Sequence, residues 1–175
     1  MKDITNYLEK SQVDALLHAA AACDDRDYLI MRVLWRTGVR VDELLHIRPR
    51  DIEYNNKVVN IVRAKGGKQR RVPLDPETLA LLNSYITASG IAHDMPIFRL
   101  SQRWVRALVA RYGRLIGKDV HPHTFRHSYA INMIRNGCDI RRLQQVLGHA
   151  SLNTTAVYLQ FNDKDIQDVY ERVPF

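Results

Sequence analysis

The chain has 175 residues, of which 46% are hydrophobic, a composition that predicts one globular domain with a substantial core and excludes a disordered protein. Lysine and arginine outnumber aspartate and glutamate by 26 to 19, and the formal charge of +7 favours a polyanionic partner such as a nucleic acid. No apolar run is long enough to cross a bilayer, and the first residues do not form a secretory signal. With only two widely separated cysteines, Cys23 and Cys138, we expect a cytoplasmic protein with reduced thiols.

The sequence of the first 50 residues predicts three helices. Ser11 is a typical N-cap residue and precedes apolar residues at helical spacing. A second helix begins at about residue 27, is apolar over most of its surface, and ends at Gly38 as its C-cap. A short helix over residues 41–47 is stopped by Pro49. The second helix is therefore expected to be a central, buried one.

Three short strands follow, separated by residue pairs that favour tight turns. The strands cover residues 52–54, 57–63 and 70–74, with Asn55-Asn56 and Gly66-Gly67 between them. Because strands joined by such short turns pair antiparallel, we expect one small antiparallel sheet at the edge of a helical domain.

The rest of the chain predicts helices. Asp75, followed by proline, opens a helix that ends near Gly90. The next helix, over residues 102–116, is amphipathic: its apolar side holds Trp104, Leu108, Tyr112 and Leu115, and its other side holds Arg103, Arg106, Arg111 and Arg114. Three further helices over residues 124–135, 139–147 and 153–158 precede a tail helix within residues 163–175. The predicted fold class is mainly α with a small three-stranded antiparallel sheet, in a single domain spanning residues 1–175.

A set of residues suited to phosphoryl transfer lies near the predicted helix ends. Arg40 follows the helix-ending glycine, and His123 and Arg126 share the run Pro-His-Thr-Phe-Arg-His. His149 follows a Leu-Gly pair, and Tyr158 lies nine residues further on. Guanidinium groups stay protonated and bind phosphate through paired hydrogen bonds. Near neutral pH, His123 can either donate a hydrogen bond to a non-bridging oxygen or exchange a proton with the nucleophile. His149 can give the phosphate another hydrogen bond, and the hydroxyl of Tyr158 can act as the nucleophile.

These motifs, from about residue 11 to about residue 161, resemble the catalytic set of the tyrosine recombinases, the phage-integrase and Xer-type family. The resemblance implies six catalytic residues: Arg40, Lys65, His123, Arg126, His149 and Tyr158. It implies that Tyr158 joins the 3′ end of a DNA strand and that Lys65, which precedes the glycines of the hairpin, protonates the departing 5′ oxygen. Glu43 resembles the family's acidic residue, and we expect it either to orient Arg40 or to cap a helix.

The same resemblance implies double-stranded DNA as the partner and a reaction that needs no metal, cofactor or ATP. Four protomers on two duplexes would form the recombining assembly, and the free protein could be a monomer.

The tail helix, residues 163–175, would pack either on a neighbouring protomer or on its own domain. The N-terminal helical domain of full-length members is absent from this sequence, so the chain is either an excised domain or a naturally short protein. We expect the DNA backbone to be contacted by Arg141, Arg142 and the arginines of the helix over residues 102–116.

Three other functions remain open at this point. The chain could be a basic DNA-binding module without catalysis, or a topoisomerase of type IB that shares the tyrosine chemistry. It could also be a metal-dependent hydrolase that uses His121, His123, His127 and His149, although no carboxylate lies at ligand spacing. We assign His121 and His127 to support or packing, because only His123 has the family's spacing to Arg126. The target site and the biological role, whether chromosome-dimer resolution, integration or excision, do not follow from the sequence.

Overall fold

A computed structural model of the protein describes residues 6–62, 69–149 and 151–159. As predicted, this part of the chain is mainly α with one three-stranded antiparallel sheet. The helices are α1 (Lys10–Ala21), α2 (Asp25–Thr37), α3 (Val41–Leu44), α4 (Pro76–Ala88), α5 (Gln102–Leu115), α6 (Pro122–Arg135), α7 (Ile140–Leu147) and α8 (Asn153–Ala156). The strands are β1 (Ile52–Glu53), β2 (Val58–Ile61) and β3 (Arg70–Pro73), in the order β1-β2-β3.

Helices α2 and α6 form the centre of the domain. The carboxylate of Asp24 accepts a hydrogen bond from Asp27 N and so starts α2, which packs against α1, α4 and α6. The helix ends at Gly38, whose left-handed φ of 61° is one that glycine adopts without strain. A Cβ atom at Gly38 would lie only 2.5 Å from Cδ1 of Tyr129, so the end of α2 also lies directly against α6.

The sheet lies beside these helices and contacts α7 through β3. Val59 pairs with Ile52 on one side and with Val72 on the other, and all three side chains are buried on the same face. The turn between β1 and β2 has its positive φ at Lys57. The predicted turn at residues 66–67 lies outside the described residues.

Several local predictions were wrong. Helix α1 begins at Lys10, one residue before the predicted cap, because Gln12 accepts a hydrogen bond from Glu9 N and starts the helix there. Pro49 does not follow a helix over residues 41–47 but opens a short 3-10 turn, after α3 has already ended at Leu44. Leu115 is exposed at the end of α5 instead of joining the apolar side. The predicted tail helix lies outside the described residues.

None of the helices in the described part of the chain is both long and apolar enough to cross a bilayer.

Candidate active site

Arg126 joins two helix ends. It lies on α6, is almost completely buried, and donates hydrogen bonds of 2.6 Å to the carbonyl oxygens of Gly38 and Leu147. These carbonyls lie at the C-terminal ends of α2 and α7, where the helix dipole favours a positive charge. Burial, followed by the positive charge of Arg40, lowers the pKa of Arg126 to about 9, which still leaves the guanidinium protonated at neutral pH.

Arg40 is held by Glu43, one turn along α3. The carboxylate of Glu43 accepts hydrogen bonds from Arg40 N at 2.7 Å and from Arg40 Nη1 at 3.0 Å. The Arg40 side chain is 24% exposed, whereas that of Glu43 is 1% exposed, so the guanidinium can reach a ligand while the carboxylate cannot. The predicted orienting role of Glu43 therefore has a geometric basis.

Arg70 is a residue of the site that sequence reasoning missed. It lies on β3 and donates to both carboxylate oxygens of Glu43, from Nη1 at 2.9 Å and from Nη2 at 2.7 Å. Burial alone would raise the pKa of Glu43, but the hydrogen bonds from Arg70 and from Arg40 N outweigh it and keep the carboxylate ionised.

The same arginine also ties the sheet to α7. Arg70 Nε donates to the carbonyl oxygen of Val146 at 2.6 Å, one residue before the carbonyl that Arg126 binds. A Cβ atom at Gly148 would lie 3.0 to 3.1 Å from the Arg70 side chain, so this close approach depends on glycine. Arg70 thus connects the part of the site around Arg40 with the part around the end of α7.

Tyr158, the predicted nucleophile, lies beside His127, which the sequence analysis assigned to support or packing. Nδ1 of His127 is 2.7 Å from the Tyr158 hydroxyl oxygen, and the two ring centroids are 5.8 Å apart. Burial raises the pKa of Tyr158, and the positive charge of Arg126 opposes that rise. The hydroxyl is therefore protonated at neutral pH and is hydrogen-bonded to a group that can exchange its proton.

His149 lies just after Gly148, which ends α7 in a left-handed conformation with φ of 64°. Burial, followed by the positive charges of Arg126, Arg40 and Arg70, lowers the pKa of His149 to about 4, so the ring is neutral at neutral pH. Its Nδ1 is 2.9 Å from the hydroxyl of Thr155 on α8. When that hydroxyl donates to Nδ1, the proton of the neutral ring lies on Nε2, where it is available to a ligand.

Three other residues singled out in the sequence are His123, His121 and Lys65. His123 is exposed on the first turn of α6, with its ring centroid 6.3 Å from that of His127. His121 precedes α6, and its Nε2 lies 3.3 Å from Asp119. Lys65 lies outside the described residues. Among the described residues, no three His, Cys, Asp or Glu side chains come together in a set that could hold a metal ion.

The site carries an excess of positive charge. Arg40, Arg70 and Arg126 contribute three charges, and Glu43 balances one of them. A buried guanidinium whose bonds go to backbone carbonyls, as those of Arg126 do, keeps its full charge for a ligand. The arrangement is suited to an anion that carries about two charges in a reaction, as a phosphodiester does in its transition state.

Known proteins resemble this chain in sequence and in fold. The sequence model of the phage integrase family matches residues 6–165, and the chain belongs to that family. The tyrosine recombinase of Pseudothermotoga lettingae is 34% identical over 176 residues, which cover 97% of this chain and 61% of that protein. The chain therefore spans about three-fifths of the length of this curated relative.

Two solved structures have the same fold. The crystal structure of XerA recombinase matches with a TM-score of 0.80 and 32% identity, over 97% of this chain and 64% of that one. The pre-cleavage complex of XerH site-specific recombinase with its difH substrate matches with a TM-score of 0.81 and 23% identity, over 98% of this chain and 55% of that one. At this lower identity the second match shows the fold alone.

Proposed function

We propose that this chain is the catalytic domain of a site-specific DNA recombinase that cuts and rejoins strands through a phosphotyrosine at Tyr158. The observation that carries the proposal is the convergence of Arg40, Arg126, His149 and Tyr158. These residues come from separate segments that Arg126 and its helix bring together. Arg126 donates to the carbonyl oxygens of Gly38 and Leu147, which lie two residues before Arg40 and His149, and His127 on the same helix lies 2.7 Å from the Tyr158 hydroxyl. Membership of the phage integrase family supports the same chemistry.

The positive groups would bind the phosphate that is cut. Arg40, partly exposed beside Glu43, and Arg126, fixed by two carbonyls, would donate to the non-bridging oxygens. His149 would add a hydrogen bond from Nε2 without adding charge. His123, at the start of α6, would donate to the same phosphate. Glu43 holds Arg40 and two backbone carbonyls hold Arg126 before the substrate arrives, so these two donors would stabilise the transition state with little reorganisation.

Strand cutting would then be a transfer of one ester bond. The Tyr158 oxygen attacks phosphorus, the bond to the 5′ oxygen breaks, and Lys65 gives that oxygen its proton. The 3′-phosphotyrosine that forms keeps the energy of the original ester, so rejoining needs neither ATP nor a metal ion.

Double-stranded DNA is the partner that fits the surface next to the site. Gln102 at the start of α5 donates to Asp42 on α3 at 2.9 Å, so this end of α5 lies next to the Arg40 segment. Arg103 and Arg106 are exposed from there onward, whereas Arg111 is engaged by Asp27. Because each neutralised phosphate changes the logarithmic salt dependence by about 0.9, binding should weaken steeply as salt is raised. The protein would act in the cytoplasm, where four protomers would assemble on two DNA duplexes. Sedimentation of the protein–DNA complex should give that stoichiometry. A protein that stays monomeric on DNA would contradict it.

The test is a covalent trap. The protein is mixed at low salt, in excess chelator and without ATP, with nicked duplexes of randomised sequence from which the cut strand can diffuse away. We expect a protein–DNA adduct that survives detergent, is lost in Tyr158→Phe, and is retained in Tyr54→Phe, whose tyrosine is 41% exposed on a turn. Bound DNA without any adduct would contradict the proposal and favour a binding module. Relaxed plasmid without strand exchange would instead indicate a topoisomerase.

A further inference from the structure

The Tyr158 hydroxyl is enclosed, and a histidine is its neighbour. Tyr158 is 2% exposed, so bulk water has little access to its hydroxyl. The 2.7 Å between His127 Nδ1 and the hydroxyl oxygen is the length of a good hydrogen bond. Since burial raises the pKa of this phenol, the tyrosine needs a proton acceptor in order to attack phosphorus at neutral pH.

We propose that His127 is the general base that takes the proton of Tyr158 during DNA cleavage, an inference that rests on the function proposed above. With its own proton on Nε2, the neutral ring accepts the tyrosine hydrogen bond at Nδ1. As the tyrosine oxygen forms its bond to phosphorus, the hydroxyl proton passes to Nδ1. The bond from phosphorus to the 5′ oxygen breaks, and that oxygen takes its proton from Lys65. On rejoining, the imidazolium of His127 returns the proton to the tyrosine oxygen.

The titratable and charged groups around His127 are compatible with this role. His123 lies one turn earlier on α6, with its ring centroid 6.3 Å from that of His127, and His149 follows the end of α7. Arg126 favours the tyrosine phenolate once its proton has left. The assignment leaves His123 and His149 to the phosphate and gives the nucleophile a separate histidine.

The experiment measures the single-turnover rate of adduct formation on a duplex recovered from the covalent trap. His127→Asn keeps a hydrogen-bonding group of similar position but cannot accept a proton, and His127→Ala removes the group altogether. We expect both variants to bind this DNA normally and to form the adduct about 100-fold or more slowly, the usual contribution of a general base. Their rates should keep rising with pH where the wild-type rate has levelled off, and imidazole in the buffer should partly restore His127→Ala.

A second arm separates the base from the acid. Sulfur in place of the bridging 5′ oxygen leaves without protonation, so this substrate should restore Lys65→Ala and leave His127→Ala slow. His121→Asn is the matched control, because His121 precedes the same helix and asparagine is a good N-cap there. Its adduct rate should equal that of the wild type, and circular dichroism should confirm that all variants are folded.

The outcomes are distinct. A His127→Asn rate close to that of the wild type would overturn the inference, because it would make the contact structural. Restoration of His127→Ala by the sulfur substrate would overturn it as well, because it would make His127 part of the acid. In both cases the wild type still forms its adduct and the proposed function stands. Failure of the wild type to form any adduct would instead remove the proposed function, and this inference with it.

Discussion

Replacing Arg70 by methionine should destabilise the domain far more than an ordinary surface substitution. The change keeps most of the apolar stem but removes two hydrogen bonds to Glu43 and one to the carbonyl of Val146. It leaves the carboxylate of Glu43 buried, with only the bonds from Arg40. Breaking a buried pair by removing one partner costs about 3–5 kcal/mol. For a domain of this size that is a fall in Tm of about 6–20 °C.

The neighbouring Arg71 offers a matched control. It pairs with Glu53 at 2.7 Å, but its side chain is 58% exposed, against 7% for Arg70. Because solvent screens an exposed ion pair and leaves it little net effect on stability, Arg71→Met should be close to neutral. Urea unfolding of both variants at neutral pH, compared at equal m-values, gives the two free energies of unfolding. If Arg70→Met lost no more stability than Arg71→Met, the role of Arg70 in holding Glu43 and α7 would be refuted.

Two further predictions concern stability. Gly38→Ala should lower the free energy of unfolding by about 1–3 kcal/mol more than Gly90→Ala. Both glycines have a left-handed φ, but only at Gly38 would the new methyl group collide with Tyr129. Equal losses of stability in urea unfolding would contradict this prediction. The pKa of His149, about 4, lies below its ordinary value of 6.5, so the unfolded chain binds a proton that the folded chain does not. Stability from this group is therefore complete above pH 6.5 and lost as the pH falls towards 4. His149→Gln should flatten the pH profile in that window, and an unchanged slope would contradict the burial of a neutral ring.

Features determined by neighbouring residues could be predicted from the sequence. The end of α2 at Gly38 and the start of α4 at Asp75 were both expected, because a left-handed glycine and an N-cap carboxylate act within one helical turn. The antiparallel order of the sheet followed from the short connections between its strands. The start of α1 was misplaced, because a glutamate and a glutamine cap that helix in place of Ser11.

The contacts that complete the site could not be predicted in this way. Arg70 lies 27 residues from Glu43 in the sequence. The residue pattern of β3 does not indicate that the Arg70 side chain points towards α3. His123 and His127 lie one turn apart on the same face of α6, so spacing alone does not decide which ring meets Tyr158. That choice depends on how α7 and the turn at Gly148 direct the following segment, which is a matter of packing. The family's spacing to Arg126 drew attention to His123, and His127, four residues later, was assigned to support or packing.

The most direct test of the central claim is to locate the DNA on the protein. The covalent adduct from the nicked-duplex trap is digested with a protease and a nuclease, and the modified peptide is sequenced by mass spectrometry. We predict a single nucleotide joined through its 3′ phosphate to the hydroxyl of Tyr158. A phosphate on any other side chain, or a linkage to the 5′ end of the strand, would contradict Tyr158 as the nucleophile.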